Sequence, residues 1–424
     1  MLVALAVAGA LVVAPTASPA RQSSLDVVKR GLAGAVSRGW LEQADANQYG
    51  TIAFRAARAV PRLPGSRATN LAAVLGDVAA QQARYTGPRA LALFSMLREN
   101  TYYLARHALP PAGKDVIDDN DGVLYRSFPG HGLQFHPLGN FARLGSLVLE
   151  GREGEAMELA QSLVDRGVPN GPALTWEYYF SFDGGRPPWT SGMAQAVAAS
   201  ALARVDYLPE ARRAYLALPR GLLVWLADGP WVRLYRFSTA PVLNAQLQTA
   251  LSLVVYGNLS GDTEAAGLAV RLRTSALALL PRFDTGYWSL YSLGGGEASL
   301  HYHRYVVSLL KTLAQRTQEP AWADWYDRFD RYLTEPPRIN AQPPVPAVGK
   351  RRPARISFWL SKSSRVTLSV GGGAQTIWLS QGFHTLSWSP GGRRPGSYTA
   401  SLSAVDLAGN RTRVQLRPVV VRRR

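Results

Sequence analysis

Residues 69–84 read TNLAAVLGDVAAQQAR and place Leu71, Val74, Leu75 and Val78 at helical spacing. The pattern stays mostly helical from residue 24 to about 335. It predicts further helices at 88–107, 153–166, 190–205, 243–257, 262–280, 299–316 and 320–333. The connections are often short and no long βαβ alternation appears, so paired antiparallel helices favour an α/α toroid-like domain or an irregular bundle over 24–338.

The segments between these helices are rich in aromatic residues, glycine and proline. They stand out at 122–140, 174–192, 229–242 and 284–303. In a helical toroid such loops gather at one end, where a rigid scaffold lets them build a site.

The composition changes at Pro336-Pro337, and residues 339–350 form a Pro-rich linker. Short runs with period-2 alternation follow, separated by glycine turns, and predict a small all-β sandwich over 351–424. The chain is therefore multidomain. The β module resembles the bacterial immunoglobulin-like domains appended to exported proteins, and a spacer or surface-attachment role fits it best because Asp406 is its only acid.

The chain has 424 residues, a net charge of +18 and no cysteine, which excludes disulfides, thiol nucleophiles and cysteine metal sites. Residues 350–424 hold 14 basic residues and one acid, a net +13, so the helical part is only mildly basic. The excess charge therefore indicates that the β module contacts an anionic cell-envelope polymer or the substrate chain, not that the protein binds nucleic acid.

The amino terminus carries an apolar run, LVALAVAGALVVA at 2–14, followed by Ser18-Pro19-Ala20. This is typical of a signal peptide over 1–20, with an uncleaved anchor or a buried helix as alternatives. We expect an exported protein, extracellular or associated with a bacterial envelope.

Signatures of common cofactors are missing from the sequence. Gly294-Gly295-Gly296 lacks the lysine and the strand–helix context of a phosphate loop, and His301 and His303 lack a third metal ligand nearby. We therefore expect neither a cofactor nor a metal.

Three tyrosines lie beside polar or basic residues in loop-like segments. They are Tyr235 in WVRLYRFSTAPVLN, Tyr291 in TGYWSLYSL and Tyr302 in SLHYHRY. Aromatic residues of helical proteins usually belong to the core, but the three together make that interpretation weaker.

Five blocks resemble, in order, motifs of the D-glucuronyl C5-epimerases over roughly 115–335. These are LQFHPLGNFARLG (133–145), PPWTSGMAQAVAASALAR (187–204), PVLNAQLQTALSLVVYG (241–257), LLPRFDTGYWSLYSL (279–293) and LHYHRYVVSLLKTLA (300–314). The resemblance implies inversion of C5 of D-glucuronate to L-iduronate within an anionic polysaccharide.

This reaction explains the residue types. The C5 proton is α to a carboxylate, so its removal builds negative charge that cations must stabilise, while an acid–base pair works on opposite faces of the ring. A tyrosine can carry the proton if positive charge lowers its pKa from about 10. Arg233, Arg236 and Arg304 are the sequence-adjacent candidates for that charge.

By motif, Tyr302 and Tyr291 match the proton carriers, with Tyr235 in support. The same blocks, the TWEYYF stretch and the arginine beside Tyr235 supply the candidate substrate-binding residues, which are His136, Glu177, Trp189, Gln195, Arg236, Asn244 and His303.

Two positions depart from the family pattern. Leu234 stands where the family has a glutamate, and Gly294 where it has an arginine, although Glu177 could replace the missing carboxylate in space. Three alternatives therefore stay open: a polysaccharide lyase, a glycoside hydrolase using two of Glu177, Asp183, Asp284 and Glu297, or a catalytically degenerate polysaccharide-binding protein. The oligomeric state is open too, a homodimer included.

Overall fold

A computed structural model describes residues 23–348 and 352–422. They divide into two compact units, of which the first ends at Ala276 and the second begins at Leu277. The predicted signal peptide at 1–20 lies outside the described residues. Among those described, no helix is long and apolar enough to cross a membrane.

The first unit is mainly helical, as the periodicity predicts. Its helices are α1 Ser24–Ser37, α2 Gln43–Ala59, α3 Ser66–Ala80, α4 Gly87–Arg106, α5 Pro137–Leu149, α6 Glu153–Val164, α7 Gly192–Ala203, α8 Leu208–Tyr215, α9 Leu243–Ser260 and α10 Thr263–Phe283, in which the unit boundary falls. Helix α7 is buried along its whole length, and α5, α8 and α9 pack against it. The core of this unit is therefore centred on α7.

The aromatic segments between the helices form short strands, which the sequence did not predict. These are β1 Asp115–Ile117, β2 Leu124–Phe128, β3 Gly132–Phe135, β4 Val168–Asn170, β5 Ala173–Thr175, β6 Leu223–Leu226 and β7 Gly229–Val232. Strands β1, β2 and β3 pair in that order, and the buried Arg126 of β2 forms two hydrogen bonds with Asp115 of β1 at 2.6 and 2.8 Å. Strands this short give too few alternating positions for a pattern to be recognised.

The second unit contains α11 Leu300–Thr317, α12 Pro320–Thr334 and the β module. Its strands are β8 Ile339–Ala341, β9 Ala347–Val348, β10 Ala354–Leu360, β11 Ser364–Val370, β12 Gly373–Leu379, β13 Gly382–Trp388, β14 Gly396–Tyr398, β15 Ala400–Asp406, β16 Arg411–Gln415 and β17 Val419–Arg422. They form three sheets ordered β12-β11-β15-β16, β13-β10-β8 and β14-β17-β9. Residues 339–341 of the predicted linker thus pair with β10 as a strand.

The predicted alternation explains the core of the β module. Inward residues of β10, β11 and β15 such as Ile356, Phe358, Leu368 and Leu402 form one hydrophobic cluster, while the residues between them, except the buried Ser401, are exposed or half-buried. The module is anchored to α12 by Lys362, whose Nζ donates to the carbonyl of Tyr332 at 3.0 Å and also to that of Glu335.

The carboxyl of Asp77 in α3 predicts a pH dependence of stability. Burial raises its pKa from 3.8 to about 7, opposed by a hydrogen bond from Gln134 Nε2 at 3.2 Å. Because the folded pKa exceeds the unfolded one, the protonated form stabilises the fold, and this stability is present below pH 4 and lost as the pH rises to about 7. Denaturant titrations should show that the free energy of unfolding falls more between pH 4 and pH 7 for wild type than for Asp77→Asn. Parallel curves of unfolding free energy against pH for the two proteins would contradict this assignment.

Candidate functional site

A cleft of about 220 Å³ opens in the first unit. Among its lining residues are four arginines and one acid, namely Arg84, Arg89, Arg220, Arg236 and Glu177. Three predicted substrate-binding residues, Glu177, Trp189 and Arg236, line this cleft. The lining therefore combines several guanidinium groups with the aromatic side chain of Trp189.

The only acid among the described lining residues is committed to an ion pair. Arg89, near the start of α4, donates from Nε and Nη2 to the two carboxylate oxygens of Glu177 at 2.7 and 3.0 Å. The two side chains are only 13% and 10% exposed. Glu177 therefore holds the Arg89 guanidinium at the cleft, and both of its carboxylate oxygens already accept hydrogen bonds.

Trp189, the aromatic residue that lines the cleft, is held in place by backbone pairing. Tyr178 and Trp189 exchange two backbone hydrogen bonds of 2.8 and 3.1 Å, and their rings stack at 4.1 Å. Tyr235 meets Trp189 edge-on at 5.2 Å, and Phe237 does the same at 5.5 Å. The predicted tyrosine thus lies directly against a residue that lines the cleft.

A second pairing sets the position of Tyr235. Arg236 donates its backbone N–H to the Thr190 carbonyl at 2.9 Å, and Gly192 donates to the Arg233 carbonyl at 3.0 Å. A Cβ on Gly192 would lie 2.7 Å from that carbonyl oxygen, so only glycine permits the approach. The glycine of the TSGM motif therefore has a packing role.

In the second unit the other two tyrosines lie together. Tyr291 belongs to a strap over residues 284–297 and donates its backbone N–H to the Gly296 carbonyl at 3.0 Å. Tyr302 lies in the first turn of α11, which Ser299 caps. The two rings are 4.8 Å apart with planes tilted by 57°. The strap and the first turn of α11 therefore bring these two predicted tyrosines into ring contact.

The arginines beside the tyrosines differ in placement. Arg236 lines the cleft, whereas Arg233 donates to the carbonyls of Leu223 and Arg236, each at 3.2 Å. Arg304 is exposed while Tyr302, two positions before it, is buried. Within the first unit, Arg236 is therefore the adjacent cation best placed to meet a bound carboxylate.

The two predicted histidines are buried and have structural roles. His136 caps α5, where its Nδ1 accepts from Gly139 N at 2.9 Å, and burial lowers its pKa well below 6.5. His303 contacts Ser289 Oγ at 2.7 Å and the Phe329 carbonyl at 3.0 Å, and burial lowers its pKa to about 4. Both rings are neutral near pH 7.

The two predicted amides are also buried. Gln195 of α7 donates to the Leu174 carbonyl at 2.8 Å and accepts from Trp176 N at 3.2 Å, so it holds the strand that leads to Glu177. Asn244 lies buried in the first turn of α9. Gln195 and Asn244 therefore support the elements around the cleft and do not line it.

The remaining acids offered for hydrolysis are engaged or exposed. Asp284 accepts from Arg328 Nε at 2.5 Å and from the Tyr332 hydroxyl at 2.9 Å. Glu297 accepts from the hydroxyls of Tyr287 and Ser363. Asp183 is exposed in a turn. Asp183, Asp284 and Glu297 are not among the residues that line the cleft with Glu177, so these four acids do not supply the two carboxyls that a glycosidase needs around that cleft.

Sequence reasoning missed three arginines of the cleft, Arg84, Arg89 and Arg220. They carry no motif, and an arginine in a helical segment has the same local pattern whether it faces solvent or a cleft. The ion pair with Glu177 joins residues 88 positions apart, so no local signal could have found it.

Comparison with known families supports the resemblance over part of the chain. Residues 170–331 match the family model described as D-glucuronyl C5-epimerase C-terminus. The resemblance is confirmed for this segment, which includes all three tyrosines, while the block at 133–145 lies outside it. A search of curated proteins finds no significant match.

Solved structures similar to this chain include two bacterial glucanases. An endoglucanase from Komagataeibacter sucrofermentans is 14% identical, covers 47% of this chain and 71% of its own, and has a TM-score of 0.33. The endo-β-1,4-glucanase CMCax from Acetobacter xylinum is 13% identical, covers 54% and 78%, and has a TM-score of 0.31. Similarity at this level carries no inference about activity.

Proposed function

We propose that this chain, whose residues 170–331 match the D-glucuronyl C5-epimerase C-terminal family, inverts D-glucuronate to L-iduronate within an anionic polysaccharide. The observation that carries the proposal is the arginine-lined cleft of the first unit, with the Tyr235–Trp189 contact at its wall. Such a cleft supplies the positive charge that proton abstraction α to a carboxylate requires.

Each group has a role in this mechanism. Arg236 and Arg89 supply the positive charge that binds the substrate carboxylate and stabilises the enolate-like intermediate, while the buried Trp189 packs against Tyr235 at the cleft. The motif resemblance assigns proton transfer at C5 to Tyr291 and Tyr302, with Tyr235 in support. His136, Gln195, Asn244 and His303 hold the surrounding elements in place.

The architecture and location are part of the same proposal. Helices α5, α7 and α9 form the inner side of an α/α toroid-like domain, and the three sheets of the β module form an immunoglobulin-like sandwich. The protein is exported and acts on a polymer outside the cytoplasm. Deleting residues 2–20 should then abolish its appearance outside the cell.

Proton exchange at C5 tests the reaction directly. Incubation with a glucuronate polymer in D₂O should place deuterium at C5 and produce iduronate, both visible by NMR. An unsaturated uronate absorbing in the ultraviolet would instead identify a lyase, because loss of the C4 substituent leaves a double bond between C4 and C5. New reducing ends without exchange would identify a hydrolase.

A binding protein without catalysis is the second candidate. It is favoured by the ion pair that occupies Glu177 and by Leu234, which is buried where the family has a glutamate. On this alternative the cleft binds the polymer, and Tyr235 packs behind it against Trp189. Binding of polyglucuronate without exchange at C5 would support this candidate over the enzyme.

A further inference from the structure

The outward face of the four-stranded sheet β12-β11-β15-β16 carries an ordered set of polar side chains. The strand register places Trp378, Arg365, Val405 and Arg411 in one cross-strand row. Side chains opposite each other in paired strands share one side of the sheet, so these residues face the same way. Trp378 is 51% exposed, and Arg365 and Arg411 are exposed as well.

A second row lies beside the first. Its members, across the same four strands, are Thr376, Thr367, Ser403 and Arg413. The hydroxyls of Thr367 and Thr376 contact each other at 2.8 Å, and Arg413 reaches Ser401 Oγ at 3.3 Å. We call these two rows the outer sheet face. It combines one aromatic ring, three guanidinium groups and three hydroxyls.

The positive charge of this face has no acid within the module to neutralise it. Asp406, the only acid of residues 352–422, is buried and pairs with Lys362 at 3.5 Å. The three arginines of the outer sheet face are therefore available to an anionic partner. Three strand spacings separate Trp378 from Arg411, a span of about 14 Å that suits an extended chain of several sugar units.

We propose that the outer sheet face binds an anionic polysaccharide, with a sugar ring stacked on Trp378 and carboxylate or sulfate groups paired with Arg365, Arg411 and Arg413. Guanidinium groups form bidentate pairs with such oxyanions, and the threonine and serine hydroxyls bind sugar hydroxyls. The choice of a polysaccharide over another polyanion rests on the proposed function. The site itself is separate from the candidate catalytic residues and would hold the polymer while turnover proceeds elsewhere.

Binding of the full chain to immobilised polyglucuronate tests the proposal. Trp378→Ala should weaken binding about tenfold, and Arg365→Ala/Arg411→Ala at least that much, as expected for losing charge-assisted hydrogen bonds. The matched control Arg355→Ala/Arg417→Ala removes the same charge from exposed positions outside the two rows and should change affinity far less. Unchanged thermal unfolding would show that each variant folds.

Three results would overturn the proposal. The first is equal weakening in the test and control pairs, which would indicate diffuse charge. The second is binding of single-stranded DNA or phosphatidylglycerol vesicles more tightly than polyglucuronate. The third is equal binding of a neutral glucan. Deuterium exchange at C5 of a short glucuronate oligomer should persist in the variants, so a failure of catalysis and a failure of this binding site give separate signals.

Discussion

Replacing Tyr302 by phenylalanine is expected to slow deuterium exchange at C5 by about 10²–10⁴-fold, the loss typical of removing one positioned acid–base group. The change deletes a single oxygen and keeps the ring that packs against Tyr291 at 4.8 Å. The fold should therefore be preserved. Exchange measured by NMR in D₂O, with substrate in excess, separates loss of catalysis from loss of binding.

Tyr326→Phe is the matched control. Tyr326 lies on α12, half-buried near Lys311, and loses the same hydroxyl without entering the proposed site. Its exchange rate should equal that of wild type. If Tyr302→Phe retained the wild-type rate, Tyr302 would not be a proton carrier, and Tyr235→Phe would become the next variant to measure.

Replacing Arg89 by alanine is expected to lower the free energy of unfolding by about 3 kcal/mol, the lower end of the range for breaking a buried ion pair. The loss arises because the nearly buried carboxylate of Glu177 is left without its two hydrogen bonds. Urea denaturation followed by tryptophan fluorescence measures the change. The same variant should bind polyglucuronate more weakly, because the cleft loses a cation.

A double variant distinguishes the ion pair from general damage. Arg89→Met/Glu177→Leu removes both charges and keeps most of the volume, so it should recover much of the stability lost in Arg89→Ala. A double variant as unstable as the single one would show that packing, and not the unpaired carboxylate, causes the loss. Binding should remain weak in both variants.

Much of the fold could be predicted because its signals are local. The helices at 66–80, 87–106 and 300–317 follow from apolar residues spaced three and four apart, and the β module follows from alternation between glycine turns. Strands β1 to β7 escaped prediction because each is only three to five residues long. Their pairing, not their composition, makes them strands.

The candidate site, like the fold, could be predicted only in part from the sequence. Motif order located Tyr291, Tyr302 and Trp189, because they lie in recognisable blocks, and it located Tyr235 because this residue just precedes the block at 241–257. Motif order did not distinguish residues that contact the substrate from residues that hold the fold together. His303 occupies a motif position like Tyr302, yet its two ring nitrogens bond to Ser289 and Phe329 inside the fold. Helical periodicity alone cannot tell which of two adjacent residues meets solvent and which meets a neighbouring helix.

By itself, the sequence determined the helical and β parts of the chain, the uneven distribution of its positive charge, and the similarity of residues 170–331 to the D-glucuronyl C5-epimerase C-terminus. Only the tertiary structure decided that Glu177 is paired with Arg89, that Trp189 and Tyr235 meet at the cleft, and that Trp378 shares a row with two arginines. The physical reason is separation along the chain. Periodicity and motifs describe near neighbours, whereas a site depends on which distant side chains the packing brings within hydrogen-bond distance.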